Sequence, residues 1–327
     1  MRLSIGSIAQ RRAAALVAAI ALTVGACGGS PASASPSNGP DYVVLATTSV
    51  FADIAKLALG DTVTIKTIVP AGVDVHTFEP SPADAEKLAD ADLIVMNGLG
   101  LDEWVLTLLE GAGKTEADVL ELGEDLVGFE YIEGAEEEHE AGTEEESETD
   151  EHGHGGTDPH IWLDPAGAQL YMERIAKRVS DDRADLADRI ALAFGEGLDQ
   201  LTALKNDIAA KYAAIPAEKR KIVTFHDAFG YYARAYGITI VGVAVEAPGQ
   251  DPSVQEIAAL IEAIRAAGVT SIFSEVQFPS KVLDQIAAET GAVVLEDLYS
   301  DALGAAPADT YVGAMQKNAD AILASFK

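Results

Sequence analysis

Imidazole, carboxylate and thiolate groups are the side chains through which proteins hold transition metals, and in this chain the imidazoles and thiols are few. The histidines are His76, His139, His152, His154, His160 and His226, and the one cysteine is Cys27. His139, His152 and His154 accompany a run of carboxylates, where imidazoles can capture divalent cations weakly. The other three sit in turn-like settings: Val75-His76-Thr-Phe-Glu-Pro80, Asp158-Pro-His160-Ile-Trp-Leu-Asp-Pro165 and His226-Asp-Ala-Phe-Gly-Tyr231. Prolines fix the backbone on both sides of His160. His76 and His226 follow β-branched runs, so they should project at the carboxyl ends of strands, where open α/β sheets bind ligands. Singly, each histidine is as consistent with a structural role. Converging with one carboxylate, they would make a four-coordinate site for Zn²⁺. Asp297 and Asp301, both after the last β-branched run, are the candidates for that carboxylate. Asp227 and Glu79 lie close enough in sequence to orient imidazoles, and Glu275 ends a strand facing the same region without being a ligand candidate.

Such a closed set suits binding rather than turnover. A catalytic zinc keeps a position open for water and needs a general base nearby, and the chain has no His-Glu-x-x-His. It also offers no Gly-rich phosphate loop before a helix, no Ser-His-Asp set and no Cys-His pair. A zinc hydrolase is therefore the weaker reading, and the chain is expected not to be an enzyme.

These residues must be positioned by alternating elements. Runs at 42–46, 64–69 and 93–96 read as strands, with helices at 51–59 and 82–89 between them, the βαβ pattern of a parallel sheet. A second set has strands at 221–225, 238–245, 271–273 and 292–295 and helices at 228–236, 253–267 and 281–290. The expected architecture is α/β, with an N-terminal lobe over 41–180 and a C-terminal lobe over 215–327. Between them, 181–214 reads as one long helix, with Leu186, Ile190, Phe194, Leu198, Leu201, Leu204, Ile208 and Tyr212 on one apolar stripe. Gly195 and Gly197 are points where it could bend. Periodicity alone allows either a rigid spine joining the lobes or two helices of a bundle. Residues 130–151 carry twelve acidic side chains and no basic one, too polar to pack, so 130–157 is expected as a loop inserted in the first lobe.

Composition narrows the partners. The formal charge of −31 repels nucleic acid and anionic headgroups and concentrates cations. Arg2, Arg11 and Arg12 precede an apolar stretch at 13–26, too short to span a bilayer comfortably but suited to a signal peptide. Small residues then lead into Cys27, which has no disulfide partner. Residues 1–27 read as a lipoprotein signal segment and 28–40 as a flexible tether.

Together the four segments Val75–Pro80, Asp158–Pro165, His226–Tyr231 and Tyr299-Ser-Asp301-Ala-Leu303 resemble the zinc and manganese substrate-binding proteins of bacterial ABC importers, the cluster A-I family, over nearly the whole mature chain. The end of the apolar stretch likewise resembles a bacterial lipobox, implying lipidation of Cys27 and anchoring outside the cytoplasm on the cell membrane. The family resemblance implies two α/β lobes joined by a long helix, with the metal in the cleft between them. It implies His76, His160, His226 and Asp301 as the ligands, and so selects Asp301 over Asp297. Manganese-selective relatives tend to have glutamate where this chain has His226. Three imidazoles suit Zn²⁺, and Mn²⁺ is the rival ion. The implied partners are an ABC permease and, through it, a separate ATPase subunit, the chain itself being a monomer. An adhesin with a structural metal is the alternative from another class.

Overall fold

Short aliphatic runs framed by amphipathic stretches become the buried strands of parallel sheets, because each crossover helix covers a face of the sheet it leaves. The computed structural model describes residues 42–134, 156–278 and 281–326, apart from the side chains of residues 296 and 297. The signal segment, the tether, Cys27 and the histidines His139, His152 and His154 lie outside the described residues, as does the side chain of Asp297. The N-terminal half contains β1 (Val43–Ala46), α1 (Ser49–Leu59), β2 (Thr64–Thr67), α2 (Pro82–Ala89), β3 (Leu93–Met96), α3 (Leu109–Ala112) and β4 (Val119–Glu121). Its four strands run parallel in the order β2-β1-β3-β4. The inner strand β3, Leu-Ile-Val-Met, is buried throughout, and edge strand β2 alternates exposed and half-buried residues. Thr48 starts α1 by accepting a hydrogen bond from the Phe51 N–H, and Ser81 and Asp84 form a capping box on α2.

Two helices follow, α4 (Pro165–Asp182) and α5 (Ala187–Ala213). The C-terminal half continues with β5 (Lys221–Thr224), α6 (Gly230–Tyr236), β6 (Thr239–Val243), α7 (Val254–Ala267), β7 (Ser271–Glu275), α8 (Lys281–Thr290), β8 (Val293–Leu298) and α9 (Tyr311–Ser325). Here the strands form two parallel pairs, β5–β6 and β7–β8, with β5 and β7 side by side. The α/β fold with parallel sheets matches expectation. Strand β4 and helices α3, α4 and α9 are additions to it.

Of the helix read over 181–214, residues 181 and 182 belong to the end of α4 and the long helix itself begins later. Arg183 leaves the helical region at φ −133°, ψ 69°, and Ala184–Leu186 is a 3-10 turn. From there α5 runs unbroken for 27 residues, about 40 Å at 1.5 Å per residue. Its stripe of Ile190, Leu201, Leu204, Ile208 and Tyr212 is buried against α1, α4 and α9. The chain thus returns through α9 to the helices that cover the first sheet. Tyr212, near the end of α5, shares a 2.8 Å hydroxyl contact with Tyr232 of α6 and donates to the Ala319 carbonyl of α9 at 3.2 Å.

The two glycines of α5 do different things. A Cβ on Gly197 would lie 2.2 Å from the Leu57 carbonyl oxygen and 2.7 Å from Met172 Cε, whereas one on Gly195 would meet nothing within 4 Å. Gly197 therefore lets α5 cross α1 and α4 at close range. Gly197→Ala should destabilise the protein by about 1–3 kcal/mol through overpacking. Gly195→Ala should leave stability equal or raise it by up to about 1 kcal/mol. Equilibrium denaturation of the two variants beside the parent measures both.

Candidate metal centre

The four segments that carry the candidate ligands leave different elements and meet at one point. His226 follows β5 directly, and Asp301 follows β8. His76 lies in the turn beyond β2, where the Asp74 carboxylate accepts the backbone N–H groups of His76 and Thr77 at 3.0 and 3.1 Å. His160 precedes a 3-10 turn at Ile161–Leu163. Its approach is fixed from upstream: the Asp158 N–H donates to the Ile132 carbonyl at 2.9 Å, and the Gly134 N–H donates to the Gly156 carbonyl at 2.7 Å. Residues on the two sides of the 135–155 segment are thereby zipped together, delivering the Asp158-Pro-His160 turn to the site.

One ligand atom from each of His76, His160, His226 and Asp301 lies within 4.8 Å of the others. The Nε2 atoms of His226 and His160 are 3.3 Å apart. Asp301 Oδ2 stands 3.4 Å from His226 Nε2 and 3.7 Å from His76 Nε2, and Asp301 Oδ1 stands 3.5 Å from His160 Nε2. Atoms bound tetrahedrally to one Zn²⁺ at ~2.0–2.1 Å are separated by roughly 3.3–3.4 Å. The His226–His160 contact and the three contacts to Asp301, one of them through its other oxygen, lie near that separation, and the remaining pairs lie within 4.8 Å. His76 Nε2 and Asp301 Oδ1 are buried and have no hydrogen-bond partner, as expected of atoms whose partner is a cation. The side chains of Asp301, His226 and His160 are 0, 1 and 4% exposed, against 16% for His76. Solvent therefore reaches the centre on the His76 side.

The far edges of two rings are held by carboxylates. His160 Nδ1 is 2.8 Å from Asp158 Oδ1, which also accepts the His160 backbone N–H at 2.9 Å. His226 Nδ1 is 2.8 Å from Glu275 Oε1, at the end of β7. These contacts aim the Nδ1–H groups at the carboxylates and turn both Nε2 atoms inward. Ser300 links the acidic groups: its hydroxyl hydrogen-bonds Glu275 Oε2 and lies 3.1 Å from Asp301 Oδ2. Gln277 donates to Asp301 Oδ2 at 3.3 Å. The orienting groups are thus Asp158 and Glu275, in place of Asp227 and Glu79. Glu79 is exposed, and the Asp227 backbone turns to the Glu246 carbonyl. An aspartate two residues before a histidine is a local signal for the first of these. Glu275 is 49 residues from His226 and only the tertiary fold brings it there.

Electrostatics follow from this arrangement. Burial lowers the pKa of His226, but the Glu275 and Asp301 carboxylates outweigh it and hold the ring up at about 9. Burial raises the Asp301 pKa, and the neighbouring His226, with His160 and His76, overcomes it and keeps the carboxyl well below its usual range. The metal-free centre at neutral pH therefore pairs an imidazolium with a carboxylate. A divalent cation would take the proton's place among the same groups.

Residues 44–325 match the family described as zinc-uptake complex component A, periplasmic (ZnuA). The chain is 30% identical to the manganese ABC transporter substrate-binding lipoprotein PsaA of Streptococcus pneumoniae, over 88% of this chain and 89% of that one. Among solved structures it is similar to the periplasmic zinc-binding protein TroA of Treponema pallidum, with a TM-score of 0.75, 25% identity, and coverage of 88% of this chain and 99% of that one. It is also similar to a Mn-bound periplasmic metal-binding protein from Candidatus Liberibacter asiaticus, with a TM-score of 0.72, 25% identity, and coverage of 88 and 100%. Family members bind and deliver a substrate and are not enzymes. On this evidence the chain belongs to the ZnuA family and is the substrate-binding component of a metal ABC transporter.

Proposed function

We propose that this chain captures Zn²⁺ outside the cytoplasm, through His76, His160, His226 and Asp301, and hands it to an ABC permease driven by a separate ATPase subunit. The observation that carries this reading is the donor set itself: three imidazole nitrogens and one carboxylate within 4.8 Å of one another. Imidazole suits zinc, whereas manganese is better served by more oxygen ligands. The second reading, a manganese importer, is favoured by the chain's similarity to streptococcal lipoproteins named for manganese transport. Cys27 is the proposed lipid anchor, and 28–40 the tether that leaves a monomeric domain free to meet its permease. Among the described residues no helix is long and apolar enough to cross a membrane, which accords with attachment through lipid. His139, His152 and His154 are proposed to capture cations weakly ahead of the main centre. The halves on either side of α5 are proposed to act as two lobes, and release to follow when their relative movement spreads the four ligands.

Capture and proton release are coupled in this scheme. The ion must expel the proton held on His226, so binding is a competition between Zn²⁺ and H⁺. Because the folded pKa of that ring is raised to about 9, the competition extends across neutral pH and ends only above that value. Calorimetry in buffers of differing ionisation enthalpy should find about one proton released per zinc near pH 7, the apparent affinity falling about tenfold per unit as pH drops below about 9. A proton count near zero would mean that His226 is already neutral before the metal arrives.

The ligand assignment is tested by competition against a chromophoric chelator. His160→Ala and Asp301→Ala should each keep the parent's circular dichroism and weaken zinc binding by more than the roughly 10–100-fold that loss of an outer partner costs. Parental affinity in either variant would remove that residue from the centre.

A further inference from the structure

Two ligands of the N-terminal half rest on a segment outside the centre. Asp102 is fully buried, and among the described residues no Lys, Arg or His is seen in contact with it. Its carboxylate accepts the Thr47 hydroxyl at 2.6 Å, the Asn97 N–H at 2.9 Å and the Gly98 N–H at 3.0 Å. The turn closed around it holds Gly98, Leu99 and Gly100 in succession at positive φ, 77°, 58° and 85°. Three consecutive left-handed residues, one of them leucine, are a costly backbone that persists only where surrounding contacts enforce it. Packing on the same segment reaches the first ligand turn, for Trp104 lies against Phe78, two residues beyond His76, with ring centroids 5.1 Å apart.

Asn97 points the other way, to the second ligand turn. Its Nδ2 donates to the Pro159 carbonyl at 3.1 Å and to the Gly98 carbonyl at 2.9 Å, and its Oδ1 accepts the Tyr171 hydroxyl at 2.6 Å. The partners fix which way the amide faces, because only nitrogen can serve the two carbonyls and only oxygen the phenol. Every polar atom of this side chain is used, inside a residue that is 0% exposed. Pro159 is the residue before His160, and proline has no N–H to tie it elsewhere. The Asp158-Pro-His160 turn is held by the Asp158 side chain, by the Tyr231 hydroxyl on the Asp158 carbonyl, and at the Pro159 carbonyl by the local Ile161 N–H at 2.8 Å and by the Asn97 amide, which reaches it from a distant segment.

We propose that Asn97 is a positioning residue for the metal centre: by fixing the Pro159 carbonyl it sets where His160 Nε2 stands, without touching the ion. This rests on the reading of His160 as a zinc ligand. Asp102 sets the Asn97 backbone, Tyr171 sets its side chain, and the amide carries that order across to His160. A merely structural role would cost stability and leave the bound metal's surroundings alone.

The test compares Asn97→Leu, of similar volume and without the amide, with Tyr232→Phe, which removes a buried hydrogen bond from the Tyr212 pair remote from the centre. Each variant, with the parent and His160→Ala, is measured for thermal stability, zinc affinity and the visible absorption of its Co²⁺ form, which reports ligand geometry. Asn97→Leu should weaken zinc binding roughly tenfold or more and change the position or intensity of the cobalt bands, with Tyr232→Phe at parental affinity and spectrum. Parental affinity and spectrum in Asn97→Leu would overturn the proposal. Should Asn97→Leu fail to fold, Asn97→Ser is used, whose shorter side chain cannot span to Pro159; parental binding there would overturn it equally. If His160→Ala itself binds zinc like the parent, the ligand assignment has failed and this inference falls with it. If His160→Ala loses zinc while the Asn97 variants keep it, the inference alone is wrong.

Discussion

A carboxylate with no exposure to water sets the terms for everything around it. Asp301 is buried completely, and an ionised carboxyl in such a place is strongly unfavourable unless a positive charge and hydrogen bonds compensate it. In the metal-free protein the Asp301 and Glu275 carboxylates flank His226 and favour a proton on that ring. The loaded protein would supply the positive charge as the ion. One slot for positive charge thus serves both states, which makes the apo form foldable and the bound form accessible without rebuilding the site. The outer carboxylates matter to the same balance. Three neutral imidazoles and Asp301 would leave Zn²⁺ with one formal positive charge, and Asp158 and Glu275 stand behind two of the rings to offset it.

Positioning four candidate ligands from four distant segments is a problem of scaffolding. Parallel strands deliver His226 and Asp301 at their carboxyl ends, and helix packing brings the halves into register. Ties across the halves converge near the centre. Trp162 Nε1 donates to the Ser300 carbonyl at 2.9 Å, next to Asp301. Tyr311 of α9 donates to the Trp162 carbonyl at 2.7 Å, and Tyr231 of α6 to the Asp158 carbonyl at 2.8 Å. The Leu303 N–H reaches Ser49 at the start of α1, while the Leu303 carbonyl accepts the Gly72 N–H. Aromatic side chains wall the rings, Trp162 beside His160 and Phe278 beside His226, with centroids 5.3 and 5.4 Å apart. Such walls keep water away and strengthen the electrostatics within. The price of this closure is that an ion can leave only if something moves, and the partial exposure of His76 marks where the opening is least obstructed.

Most of the strands, and the turns carrying the histidines, were legible in the sequence, because β-branched runs and Pro-flanked histidines report local structure. What escaped was either short or non-local. Strand β4 is Val-Leu-Glu within an acidic, helix-favouring neighbourhood, and pairing with β3 alone makes it a strand. Helix α4 did carry a signal, Asp164 at its N-cap and Pro165 at its first position, but it adjoins the long helix, and only the backbone at Arg183 separates them. Gly197 reads as a weak point by propensity and proves to be a crossing point by packing. Glu275 has nothing in its own sequence context that assigns it to His226, and the same holds for Asn97 and Pro159, 62 residues apart. Choosing between Asp297 and Asp301 requires family resemblance, since both follow the run read as the last strand; in the structure Asp297 falls within β8, and Asp301, beyond it, lies beside the three histidines.

The central claim is that three histidines and one aspartate make a centre selective for zinc. Native mass spectrometry of the chain from residue 28 onward, stripped of metal and then offered equal zinc and manganese, tests it most directly. One tightly held zinc per chain, lost on changing His226 to alanine, is the predicted result. One retained manganese would contradict the argument from three imidazoles, and zinc retained equally well without His226 would place the ion elsewhere.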